Sequence, residues 1–265
     1  MKPLQIPEGI ISNGIDVFLL VFVRMTGLFV ISPIFGRRNI PSYLKIGVSL
    51  LTAMILINTL KVDKLDYQNN IYGYSLLVFK EFIVGIIIGY VSYLIFNAVY
   101  LAGQLIDMQI GFGMVNVVDP VSSIQISITS NFYFIISMLV LLAVNGHHMI
   151  IKALFDSYKF IPVGGAAFNT AVLYDVIKIF GDVFLVALKI SAPIIAAILI
   201  TDIALGIISK SVPQLNVFVV GMPAKIILGI LVMVLTMPVL ISLIEFMING
   251  MSSNMYKIIK DMVLK

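Results

Sequence analysis

The chain has 265 residues, of which 60% are hydrophobic and 11% charged, and its mean hydropathy is +1.11. A soluble domain carries about 25% charged and 45–50% apolar residues, so this excess cannot be buried in a soluble core, and the chain reads as an integral membrane protein. The formal charge of +4 suits contact with anionic lipid head groups rather than nucleic acid, and the absence of cysteine excludes a disulfide framework and a thiolate metal site.

In chain order, an apolar run at 10–31 is long enough to span about 30 Å of hydrocarbon. Asp16 and Arg24 interrupt it and no small-residue cleavage pattern follows, so it reads as a retained helix rather than a signal peptide. The two charges share a face but lie too far apart to pair, which leaves Arg24 to serve a neighbouring helix. Pro33, Gly36 and Pro41 mark a basic turn that includes Arg37 and Arg38. A second helix, short for a span, is expected at 44–60, followed by a polar loop at 61–74. A third helix runs from about 76 past 101, with Gly85 and Gly89 in the GxxxG spacing that lets another backbone approach closely.

The stretch 103–120, GQLIDMQIGFGMVNVVDP, keeps apolar side chains but loses the helical period at Gly111, Gly113 and Asp119-Pro120. Irregular backbone at membrane depth is tolerated only where protein buries it or where it lines a cavity. A fourth helix at 128–144 ends at Asn145-Gly146-His147-His148. Adjacent histidines cannot point the same way on a helix, and no other ligand spacing accompanies them, so a structural role outweighs metal binding.

A fifth helix begins near residue 171 and runs into 187–225, the most informative stretch: too apolar for a soluble surface, yet holding Lys189, Asp202, Lys210 and Lys225 and prolines 193, 213 and 223. Charges inside apolar helices are expensive and face protein or water, and Pro193 is expected to kink or break its helix. Asp202 lies opposite Lys189 on a straight helix and shares a face with Lys210 two turns away. The turn SVPQLN precedes a last helix at 217–248, with breaks expected at Pro223 and Pro238, and then a basic, mildly amphipathic tail. The segments sum to an all-α membrane protein of about six long apolar helices, several of them broken. Lys257, Lys260 and Lys265 favour a cytoplasmic C-terminus, while an even number of spans then puts Arg37 and Arg38 outside, against the same rule.

Asp202-Ile203-Ala204-Leu205-Gly206, Pro213-Gln214-Leu215-Asn216-Val217-Phe218 and Gly221-Met222-Pro223-Ala224-Lys225, in this order and spacing, resemble the signature of the FliR family of flagellar type III export-gate proteins, related to the injectisome SctT family. The Arg24 and Pro41–Lys45 region, the 103–120 stretch, and Asn145 to His148 with Ser157 and Pro162 extend the resemblance over most of the chain, and the Asn-Gly-His-His motif favours the flagellar branch over the injectisome one. The resemblance implies one FliR-type membrane domain (halves 1–145 and 146–265) in the bacterial cytoplasmic membrane at the flagellar basal body. Its helices would form hairpins in a hetero-oligomeric pore with FliP- and FliQ-type subunits, next to FlhB- and FlhA-type proteins, with unfolded flagellar subunits in transit. It also implies that 109–119 plugs the closed pore. Met108, Gln109, Gly111, Phe112, Gly113, Met114, Asp119 and Pro120 are the plug and gasket candidates; methionine, flexible and apolar, suits a gasket. Arg24, Asp107, Asn145, His147, His148, Lys189, Pro193, Asp202, Gly206, Pro213, Gln214, Asn216, Phe218, Pro223 and Lys225 are the interface and structural candidates. No cofactor is implied. Without the resemblance, broken helices with midplane charges fit a small-solute secondary transporter as well as a channel subunit. An intramembrane enzyme ranks below both, because no GxSxG, HExxH or P-loop pattern is present.

Overall fold

A computed structural model describes residues 8–37, 39–60, 71–112, 127–214 and 216–263. These residues form seven helices: α1 Glu8–Ile31, α2 Ser42–Ile57, α3 Ile71–Ile110, α4 Ile128–Ala143, α5 Gly146–Phe160, α6 Thr170–Ser211 and α7 Val217–Asp261. At 1.5 Å per residue, α3, α6 and α7 are each about 60 Å or more long, twice the thickness of a bilayer core. Among the described residues, four helices are long and apolar enough to cross a membrane, or five if α4 and α5 form one broken span. The six expected segments correspond to α1, α2, α3, α4, α6 and α7, and α5 is a further helix that the expectation did not include.

Three expectations need correction. The stretch 71–74 belongs to α3 and not to a loop, and the remainder of the expected loop, 61–70, lies outside the described residues. The helices are not broken at proline: α6 is continuous through Pro193, and α7 through Pro223 and Pro238. Each proline removes one ladder bond, but in apolar surroundings no water replaces the others, so the helix continues. The break falls instead at Asn145, whose φ of 55° is left-handed, a conformation in which asparagine is several-fold enriched among non-glycine residues. The expected tail is also helical: α7 continues to Asp261, with Met251, Met255, Ile258 and Ile259 buried at helical spacing.

The chain divides into two compact units, and each draws on both halves of the sequence. The first comprises Met1–Tyr93, Asn145–Ile179 and Asn249–Lys265. Here α2 packs on α1 through its small face, Ser49, Ala53 and Leu56. Glycine lets α1 and α3 meet backbone to backbone: a Cβ on Gly27 would lie 2.6 Å from the Phe82 carbonyl oxygen, and one on Gly85 only 2.1 Å from that of Arg24. The last turns of α7 are strapped to the start of α6, where Ala167 N–H donates to the Met262 carbonyl at 2.9 Å and Lys257 pairs with the buried Asp175 at 2.7 Å. Tyr256 donates to Asp156 of α5 at 2.7 Å.

The second unit comprises Leu94–Val144 and Phe180–Ile248. A Cβ on Gly103 would come within 2.4 Å of Ser130, so α3 and α4 also approach without intervening side chains. Ser130 Oγ donates to the Tyr100 carbonyl at 2.7 Å, and Phe96 packs on Phe134 at 5.7 Å. Gly229 of α7 accommodates the Ile110 side chain from the end of α3, and Gly221 accommodates Leu205.

Candidate functional site

The first unit holds the most deeply buried charges. Arg24 and Glu81 are both fully inaccessible. The guanidinium donates to both Glu81 carboxylate oxygens, Nε at 2.5 Å and Nη2 at 2.9 Å. Nη1 donates to Ser157 Oγ at 3.0 Å and to the Ile161 carbonyl at 3.3 Å. The Tyr158 ring lies 3.9 Å beneath the guanidinium carbon, and Glu81 also accepts the Gly164 N–H at 2.7 Å. One bidentate pair thus ties together α1, α3, α5 and the loop after α5. Every charge is matched and hydrogen-bonded, the condition under which an ion pair survives burial. Arg24 was marked in the sequence; Glu81, 57 residues away, was not, because nothing local distinguishes it from any acidic residue near a helix start.

The second unit holds the remainder. Asp107, in the last turn of α3, is buried and accepts Ser127 Oγ at 2.5 Å and the Thr129 N–H at 3.2 Å. Ser127 caps α4, accepting from the Ser130 N–H. A carboxylate on the first turn of a helix satisfies orphan donors and complements the helix dipole. Asp107 therefore clamps the two stems that bracket residues 113–126. Gly113, Met114, Asp119 and Pro120 lie outside the described residues. Of the other plug candidates, Met108 is 74% exposed, Gln109 and Phe112 are half-buried, and Gly111 has a φ of +99° that ends the helix.

Directly beyond this stem is a cavity of about 480 Å³. Its walls are Met108, Gln109, Ile110 and Gly111 from α3, Asp202, Leu205 and Gly206 from α6, and Val217, Phe218, Gly221, Met222 and Lys225 from α7. Across it, Lys225 Nζ and Asp202 Oδ1 make an ion pair that joins α6 to α7, with the side chains 25% and 39% exposed. Neither side chain has a second partner among the described residues. Asp202 thus pairs with neither Lys189 nor Lys210. A 23-residue excursion through the turn brings Lys225 to it, a separation that helical periodicity within α6 cannot reveal.

Asn216 caps α7, its Oδ1 accepting the Phe218 N–H at 3.1 Å, while Pro213 and Gln214 form the exposed turn before it. Phe218 is 61% exposed. Lys189, Pro193 and Pro223 lie on exposed helix surface. In the first unit the His147 and His148 rings pack side by side, with centroids 4.1 Å apart and planes tilted by 41°; Asn145 and His148 are exposed, and His147 is half-buried. No group of three or more His, Cys, Asp or Glu is placed to hold a metal among the described residues.

A helical chain with several membrane-length helices, a buried charge hub and a largely apolar cavity crossed by one ion pair is a multi-pass membrane protein. The family described as bacterial export proteins, family 1, matches residues 15–251. The flagellar biosynthetic protein FliR of Bacillus subtilis (strain 168) is 38% identical over 227 residues, 84% of this chain and 86% of that protein. FliR of Escherichia coli (strain K12) is 26% identical over 261 residues, 98% of this chain and 99% of that protein. FliR of Aquifex aeolicus (strain VF5) is 26% identical over 224 residues, 84% and 85% respectively. The chain belongs to this family of bacterial export proteins, the FliR family.

Proposed function

We propose that this chain is a core, non-enzymatic subunit of the flagellar type III export gate in the bacterial cytoplasmic membrane. There it forms, with FliP- and FliQ-type subunits, the channel through which unfolded flagellar proteins leave the cell. FlhB- and FlhA-type proteins flank the cytoplasmic mouth. The segment 109–119 closes the channel at rest, with Met108 and Met114 contributing to an apolar gasket. The observation that carries the reading is the meeting, around one cavity, of the end of α3 that leads into this segment and the family-signature residues Asp202, Gly206, Phe218 and Lys225. Exposed apolar side chains along α6 and α7, such as Ile203, Ile207, Val234 and Leu235, add support, since this chain alone leaves them uncovered.

Co-expression with the candidate partners, purification in mild detergent through a tag on this chain, and native mass determination test the assembly. One large complex with a single copy of this chain and several copies of each partner is expected. A stable lone monomer or homodimer moves the transporter reading to the front. Shortening 111–117 tests the plug: the assembled gate is expected to leak ions, and unchanged membrane conductance counts against a plug there.

A further inference from the structure

The cavity beside the α3 stem has an unusual polarity. Apart from Gln109 its walls are apolar and adaptable, with Met108, Met222 and Phe218 among them, yet it holds one charge of each sign in contact. An anion entering it meets Asp202 and a cation meets Lys225, so a ligand carrying a net charge gains from one partner and is repelled by the other. A neutral group with a donor and an acceptor side by side meets no such conflict. Among the described residues, the paired charges leave a carboxylate oxygen free on Asp202 and N–H donors free on Lys225. In an extended polypeptide, the N–H and C=O of one residue leave the backbone on the same side, the arrangement by which strands exchange paired hydrogen bonds. Apart from Gln109 and the ion pair, the walls place no polar demand on side chains, and methionine adapts to varied shapes. Gly206 adds room: a Cβ there meets nothing within 4 Å.

We propose that this cavity is a subsite that grips the main chain of the transported polypeptide. Asp202 accepts a peptide N–H, Lys225 donates to a peptide carbonyl, and Met108, Phe218 and Met222 take side chains of any sequence. The subsite rests on the export-gate reading and gives it a way to hold unfolded chains without reading their sequence.

The open space at Gly206 allows a test that leaves the ion pair and the fold intact. In cells lacking their own copy, the full-length protein carries a photo-reactive benzoylphenylalanine in place of Gly206, and export is arrested with a substrate fused to a folded domain. Adducts are expected to several positions of the substrate. In parallel, Gly206→Phe places a ring at the cavity wall; it is expected to assemble normally and to lower export at least about tenfold, the weight of losing even one of the two charge-assisted hydrogen bonds. Adducts only to lipid, to a partner subunit or to residues 113–126 of the same chain overturn the subsite, and so does wild-type export by Gly206→Phe. If cells without the chain export normally, the export-gate reading itself falls, an outcome separable from the others.

Discussion

The two compact units solve the problem of charge in an apolar chain in opposite ways. In the first, Arg24 and Glu81 are fully buried, and the hydrogen bonds of the guanidinium end on Ser157, Ile161 and Glu81 of the same chain. In the second, Asp202 and Lys225 meet at an open cavity and, among the described residues, keep hydrogen-bonding capacity to spare. A closed network makes a region self-sufficient. An open ion pair among exposed apolar side chains marks a region that neighbouring protein or lipid must complete.

The comparison breaks most directly at Arg24. Replacing Glu81 with Gln leaves a buried guanidinium without its counter-charge, and losing one partner of a buried pair costs about 3–5 kcal/mol. A large fall in membrane-accumulated protein and in thermal stability in detergent is expected for Glu81→Gln and for Arg24→Ala. The double variant Arg24→Met with Glu81→Leu removes both charges and is expected to recover much of the loss. Equal instability of the double variant would show that shape, not charge, governs the hub. Next in size is Gly85→Leu. Its Cβ would lie 2.1 Å from the Arg24 carbonyl oxygen, so α1 and α3 must separate, a repacking that costs about 1–3 kcal/mol or more.

Asp107 tests the second unit at the one buried carboxylate among its described residues. Asp107→Ala removes the group that clamps Ser127 and Thr129 to the end of α3, and a lost cap costs about 0.5–2 kcal/mol. The expected result is faster proteolytic cleavage between residues 112 and 127 with the rest of the chain protected. Cleavage at the wild-type rate would mean that the stem is held from elsewhere.

Helices were legible in the sequence wherever apolar runs were sustained, which is why α1, α2, α3, α4, α6 and most of α7 stood out, although α2 and α4, at 16 residues each, are short for a span. Helix α5 did not, although Ile150, Ala153, Leu154, Ser157 and Tyr158 are buried at i, i+3, i+4, i+7 and i+8. Its other face carries Lys152, Asp156 and Lys159, so it is amphipathic rather than uniformly apolar, and a search for spans passes over it. The last turns of α7 were missed for the same reason. The charged residues themselves could be marked, because charge in an apolar run is conspicuous. Their partners could not: Arg24 and Glu81 are separated by 57 residues, Arg24 and Ser157 by 133. Such pairings depend on which helices become neighbours, which no local period encodes.

The smallest effect is expected at Asp202 and Lys225, and there the comparison becomes sharpest. Both side chains are partly exposed, and ion pairs of that kind contribute about 0–1 kcal/mol to a fold. Lys225→Met should therefore leave the isolated chain nearly as stable as the wild type, in contrast to any change at Arg24. The charge-exchanged double variant Asp202→Lys with Lys225→Asp keeps one charge of each sign at the cavity. If the pair only joins α6 to α7, that double variant and the single Lys225→Met should differ little in melting temperature and in export. If the pair works on something that enters the cavity, Lys225→Met should lose export while retaining its melting temperature, and the exchanged pair should recover part of it. A drop in melting temperature as large as that of Glu81→Gln would show instead that the second unit, like the first, relies on its own charges to hold itself together.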